Sequence, residues 1–237
     1  MLTAAGSGYS QWHDLAVTRW AADVTCDASG SFHFLRDVDT GMVWSAGYQP
    51  TGVEPDAYEV AFNEHRAEFI RRDGDLTTTL DVVVSAECDA EVRRVCLANM
   101  GDRVRTIEVT SYAEVVLAPR AADEAHPAFS KLFVQTEHLP AIGVLLATRR
   151  RRSPEEPGVW AAHLAVIEGD AVGPGRFETD RASFIGRGRQ ARAPAGGHGG
   201  GARPGLLDRV ARLAQTPAGR GGVREAGGFV DLRDRLL

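Results

Sequence analysis

Residues 56–117 limit the fold more than any other part of the sequence. Short runs rich in β-branched and aromatic side chains follow one another there, divided by turn residues. DAYEVAFN (56–63) places Tyr58, Val60 and Phe62 on one face, because side chains alternate along a strand. RAEFIRR (66–72) runs into Asp73-Gly74, a strong two-residue hairpin signal. DLTTTLDVVVS (75–85) is dense in β-branched residues, which suit a pleated surface. AEVRRVCLANM (90–100) ends in the turn Asn99-Met100-Gly101-Asp102. VRTIEVTSYAEVVL (104–117) reads as the longest strand, with Ile107, Val109, Ser111 and Ala113 in alternation. Strands spaced about ten to fifteen residues apart with turn signals predict an all-β fold of antiparallel sheets packed as a sandwich.

The flanking sequence extends this pattern. SFHFLRD (31–37), the turn VDTG (38–41) and MVWS (42–45) read as a hairpin. Residues 9–22 admit either a short helix or a loop plus strand. GYQPTGVEPD (47–56) is a Gly/Pro loop, and APRAADEAHPAF (118–129) reads as a loop without periodicity. SKLFVQTE (130–137) and IGVLLATRR (142–149) predict a further hairpin. RRRRSPEEPG (149–158) is a solvated connector, VWAAHLAVIE (159–168) the next strand, and FETDRASFIG (177–186) the end of the sandwich.

After Gly186 the composition changes. Residues 187–237 hold 12 of the 26 glycines, and GGHGGGARPG (196–205) is of low complexity. The expected organisation is a sandwich over 1–186, incomplete at both ends, and an irregular tail over 187–237. That tail is expected to be disordered or shifted in reading frame near residue 190, with a short amphipathic helix admitted at LLDRVARLAQ (206–215). Charge divides at the same place. The tail has 10 Arg and 4 acidic residues, whereas residues 1–186 have 17 basic and 28 acidic residues.

An acidic body disfavours a nucleic-acid partner and says nothing against a neutral glycan. Hydrophobic content of 43% supports a real core. No apolar run reaches the roughly 18 residues needed to span a membrane. MLTAAGSGYS has neither the basic region nor the apolar stretch of a signal peptide. Cys26, Cys88 and Cys96 are an odd number with no Cys-x-x-Cys spacing, which fits a reducing compartment without a disulfide framework, and no Cys/His pair sits at zinc-ligand spacing. No cofactor is expected.

Residues 6–51 carry the candidate binding residues. This stretch contains three of the four tryptophans and two of the four tyrosines, interleaved with glycines. Aromatic faces beside permissive turns suit a sugar-binding surface. Tyr9, Trp12, Trp44 and Tyr48 are candidates to stack on sugar rings, and Arg19, Asp37 and Gln49 to hydrogen-bond hydroxyls. The same residues also read as filling of a β core, and both readings stand at this point. Carboxylates such as Glu54, Asp56 and Glu59, or Asp81 and Glu87, are plentiful, but none stands out as a catalytic pair. There is no Gly-x-Ser-x-Gly elbow, and Gly6-Ser7-Gly8 lacks the context of a phosphate loop.

GSGYSQW, DLAVTRW, FHFLRDVDTGMVWSAGYQP and HPAFSKLFVQTE, in this order, resemble the β-supersandwich domain of glycoside hydrolase family 94, formerly glycosyltransferase family 36. The similarity covers about residues 1–186 and includes the sandwich region of cyclic β-1,2-glucan synthases. It implies a galactose-mutarotase-like supersandwich that contacts a β-glucan oligosaccharide or polysaccharide and supports a separate catalytic domain. In such enzymes the catalytic Asp sits in an (α/α)6 barrel, so the resemblance implies a non-catalytic chain. It also implies a missing first strand, a homodimer as a further partner, and a whole enzyme anchored to the membrane with this region on the cytoplasmic side. Two other readings stay open. A free-standing glycan-binding module would need an exposed aromatic platform. An aldose-epimerase-like enzyme would need a His/Glu pair in one cleft.

Overall fold

In the computed structural model, residues 1–20, 30–169, 171–172, 175–186, 189 and 191–193 are described, together with the backbone of 208–213 and 221–228. These residues form an all-β fold of three antiparallel sheets.

A three-stranded sheet joins β1 (Gln11–Trp12), β2 (Leu15–Thr18) and β10 (Val115–Pro119). A four-stranded sheet has the order β14 (Asp208–Leu213), β9 (Arg105–Tyr112), β3 (Phe32–Asp37), β4 (Val43–Ser45). An eight-stranded sheet begins with β11 (Val134–Leu139), β12 (Val144–Arg149) and β13 (Trp160–Glu168). It continues through β15 (Gly221–Gly228), β8 (Ala90–Asn99), β7 (Leu76–Val84), β6 (Ala67–Asp73) and β5 (Ala57–Phe62).

The run of strands that dominates the sequence is the meander β5-β6-β7-β8. Its tightest turn lies where Asp73 pairs with Leu76, and Gly74 supplies the positive φ of 61° that this turn demands. The inner face of this meander packs on the four-stranded sheet. Phe69, Leu80, Val95 and Leu97 meet Leu35, Trp44, Ile107 and Val109 in one cluster. Each such side chain contributes about 1.5–3 kcal/mol by leaving water. Strand β3 is buried on both faces. Leu35 faces the main core, while Phe32 and Phe34 face a second cluster with Tyr112, Phe184 and Ile185. Helix α3 (Arg181–Ile185) supplies the last two. In a third cluster the three-stranded sheet packs on β12 and β13 through Val17, Leu117, Ala147 and Ala161.

Several expectations are corrected. Residues 118–129 are not a featureless loop: α1 (Arg120–Ala125) and α2 (Pro127–Lys131) occupy them. Alanine and acidic residues favour helix in α1, and Pro127 stands where a helix start tolerates a missing N–H. Strand β11 therefore starts at Val134, not at Ser130. The expected single strand over 104–117 is two strands in different sheets, β9 and β10, parted by Ala113-Glu114. Glu114 cannot continue a buried row as an unpaired charge, so the chain leaves the sheet where Glu114 finds cations. β10 then shifts register between Val115 and Ala118, and Leu117 takes a positive φ of 52°. The region 208–213, where a helix is admitted, is strand β14 paired with β9. The low-complexity run 196–205 and Cys26 lie outside the described residues. Among the described residues no helix is long and apolar enough to cross a membrane.

Candidate functional site

The seven sequence-nominated residues do not form one surface. Trp44 is 0% exposed in the main core, so no face of its ring is open to a sugar. Asp37 is 1% exposed. Its carboxylate accepts from the backbone N–H groups of Asp39 (2.9 Å) and Thr40 (3.1 Å) and pairs with Arg105 (3.1 Å), which fixes the turn between β3 and β4. Trp12 is half-buried, packed against the third cluster, with the His13 ring 4.6 Å away. Tyr9 lies 5.9 Å from Trp20, and the Arg120 guanidinium covers both rings at 5.3 and 5.4 Å. Tyr48 donates its hydroxyl to Glu54 at 3.1 Å and sits 6.4 Å from the Tyr58 ring. Gln49 is half-buried and donates its backbone N–H to Ala5 at 2.8 Å.

Arg19 leads elsewhere. Its guanidinium donates to both Asp123 oxygens (2.7 and 2.5 Å), to Glu114 (3.0 Å) and to the Pro127 carbonyl (3.1 Å). Glu114 is the hub of this network. It also pairs with Lys131 at 3.0 Å and Arg181 at 2.5 Å, and accepts from the Tyr112 hydroxyl at 2.9 Å. Thus one carboxylate ties the end of β2, the β9–β10 crossover, α2 and α3 together. Burial opposes its charge, but hydrogen bonding and charge from Arg181 and Lys131 outweigh burial and hold the carboxyl at about 2. Burial and the neighbouring Glu114 push the Tyr112 phenol up.

A cleft of about 360 Å³ opens beside this hub, where the three sheets meet. Its floor is apolar and small-residued, with Val17, Ala147 and Ala161. Its rim carries Lys131, Thr136, Thr179, Asp180 and Arg181. Lys131 and Arg181 are 39% and 46% exposed, whereas Glu114 is 18% exposed. Asp180 accepts from the Ala182 N–H and the Ser183 hydroxyl as the cap of α3. A volume in this range, an apolar floor and a few convergent polar groups are the usual makings of a small-ligand site. Among the described residues no group of three or more His, Cys, Asp or Glu side chains is arranged to hold a metal.

Comparison with known proteins agrees with this architecture. Residues 1–211 match the family described as glycosyl hydrolase 94, supersandwich domain. The chain belongs to this family. It is 44% identical over 189 residues to the cyclic beta-(1,2)-glucan synthase NdvB of Rhizobium meliloti, covering 80% of this chain and 7% of that protein. It is 30% identical over 136 residues to the N,N'-diacetylchitobiose phosphorylase of Vibrio furnissii, covering 55% of this chain and 17% of that enzyme. The solabiose phosphorylase of Paenibacillus borealis is 26% identical over 157 residues, covering 65% of this chain and 19% of that enzyme. The chain thus spans under a fifth of the length of these relatives. Of the sequence-nominated residues, Arg19 alone takes part in the charged hub of this supersandwich cleft. Glu114, Lys131 and Arg181 were not singled out by their spacing, since they are far apart in the chain.

Proposed function

We propose that this supersandwich is the non-catalytic, glucan-contacting support of an enzyme that transfers or phosphorolyses β-glucosidic bonds. The observation that carries the reading is the 44% identity to a cyclic beta-(1,2)-glucan synthase over most of this chain. The similarity to an N,N'-diacetylchitobiose phosphorylase and a solabiose phosphorylase supports the same reading. The partner is the (α/α)6 catalytic domain implied by the family resemblance, and the compartment is the cytoplasmic side of the membrane.

The charged cleft supports a binding role over a catalytic one. Cleaving a glycosidic bond needs a carboxyl group that can give a proton near neutral pH. Glu114 is ionised down to about pH 2 and is surrounded by cations, while Asp180 is engaged in capping α3. Neither is placed to act as a general acid. Calorimetric titration of the full chain with β-1,2-linked glucan oligosaccharides, with β-1,4 oligosaccharides for comparison, tests the reading. Saturable heat with the β-1,2 series and no new glycan product are expected. A folded sample giving no heat would overturn glucan contact, and product formation would overturn the non-catalytic role.

A further inference from the structure

We propose that the cleft at the junction of the three sheets is the place where this domain takes a neutral glycan, in preference to the aromatic-rich stretch at residues 6–51. This rests on the glucan-contacting reading above and adds the site to it.

The charges select the class of ligand. Glu114 binds Lys131 and Arg181 directly, Asp180 lines the same cleft, and Arg19 joins Glu114 to Asp123. An anion would have to draw Lys131 or Arg181 away from Glu114, to which each is already bound at 3.0 and 2.5 Å. A cation would meet a carboxylate that three cations and a phenol already surround. A purely apolar chain would leave the rim donors and acceptors without use. Sugar hydroxyls both donate and accept, so they match fixed ammonium and guanidinium donors set beside carboxylate and threonine acceptors. The C–H face of the same ring suits the half-buried Val134, Leu146 and Ala162 that also line the cleft.

The cleft differs from a stacking platform. Tyr112 and Phe184 contribute to its wall, but they are only 4% and 3% exposed and stack on each other at 5.2 Å. Recognition by rim hydrogen bonds over a small apolar floor favours short oligosaccharides held with modest affinity.

Variants of the full chain at the mouth provide the test. Thr136 is exposed on the edge strand β11, so Thr136→Trp narrows the cleft without entering a core. Lys131→Ser removes a rim donor and leaves Arg19 and Arg181 on Glu114. Each is titrated with β-1,2-linked glucan oligosaccharides beside the parent chain, with thermal unfolding as the control for folding. Affinity is expected to fall about tenfold for Thr136→Trp, a loss of about 1.4 kcal/mol, and several-fold for Lys131→Ser. Tyr48→Ala, on the distant 47–56 loop, is expected to bind like the parent. Parent-like binding by both folded mouth variants would overturn the site, whatever Tyr48→Ala does, and leave the glucan-contacting reading intact. Absence of heat from the folded parent would overturn both. If one mouth variant fails to fold, the other decides.

Discussion

Two arginines, one buried and one half-buried, show how this molecule divides its work. Arg71 is 0% exposed in the main sandwich. Its guanidinium forms two bonds of 2.8 Å with Asp73 and donates to the carbonyls of Gly47 and Val53. The whole arrangement is internal, and it pins the 47–53 loop to the meander. Arg19, 15% exposed, also joins a carboxylate, but that carboxylate passes the network on to Lys131 and Arg181 at the surface. A closed network fixes backbone geometry and has nothing left for a ligand. A network that ends in exposed donors beside a cleft holds those donors in place for one. The difference lies not in residue type but in where the hydrogen-bond chain stops.

Trp44→Ala is the hardest blow to that division. Removing a wholly buried indole from the cluster of Leu35, Phe69 and Ile107 leaves a large cavity. The expected cost is about 4 kcal/mol of unfolding free energy, read by urea titration. Glucan affinity of the protein that remains folded should be unchanged. A stable variant with lost affinity would mean that Trp44 meets the sugar and that the core and the recognition surface are not separate.

Glu114→Gln acts on the other network and ranks next. The carboxyl is held at about 2 against a usual 4.5, so its ionised form stabilises the folded state. A shift of that size corresponds to at most about 3 kcal/mol. Because the folded pKa is depressed, the contribution is complete above the usual carboxyl range and is lost as pH falls toward 2. The stability gap between parent and variant should therefore be flat from neutral pH to about 5, shrink below it and close near 2. A gap that stays constant through the acid range would show that Glu114 matters by shape and not by charge.

The same contrast explains what could be read from the sequence. The meander was legible because its signals are local: alternation in β5 through β8 and Asp73-Gly74 at the turn each need only neighbouring residues. The hub was not legible, because Arg19, Glu114, Lys131 and Arg181 come from four separate stretches and meet only through sheet packing. Glu114 looks in sequence like one more outward residue in the VRTIEVTSYAEVVL run. Nothing local says that the chain changes sheets there. Trp44 misled for the converse reason, since an aromatic beside a glycine loop reads alike as platform or as core until its burial is known. Helices α1 and α2 were missed because turns of five or six residues give periodicity too little length to show itself.

Strand β15 bears on how far the main sandwich extends. Its backbone lies between β8 and β13, with Val223 opposite Val95 and Ile167, and Glu225 opposite Arg93 and Ala165. Yet four of its eight residues, Gly221, Gly222, Gly227 and Gly228, are glycines. Each costs about 0.5–1 kcal/mol in a strand relative to alanine, so the ends should open more readily than the centre. Amide exchange is expected to be slow at Val223–Ala226, approaching the rate in β8, and faster at both glycine pairs. Fast exchange throughout β15 beside slow exchange in β8 would leave the sandwich ending near residue 186 and the Gly/Arg-rich tail outside it. Slow exchange at the centre would instead make the tail a supplier of the strand that bridges the meander to β13, and so to the floor of the cleft.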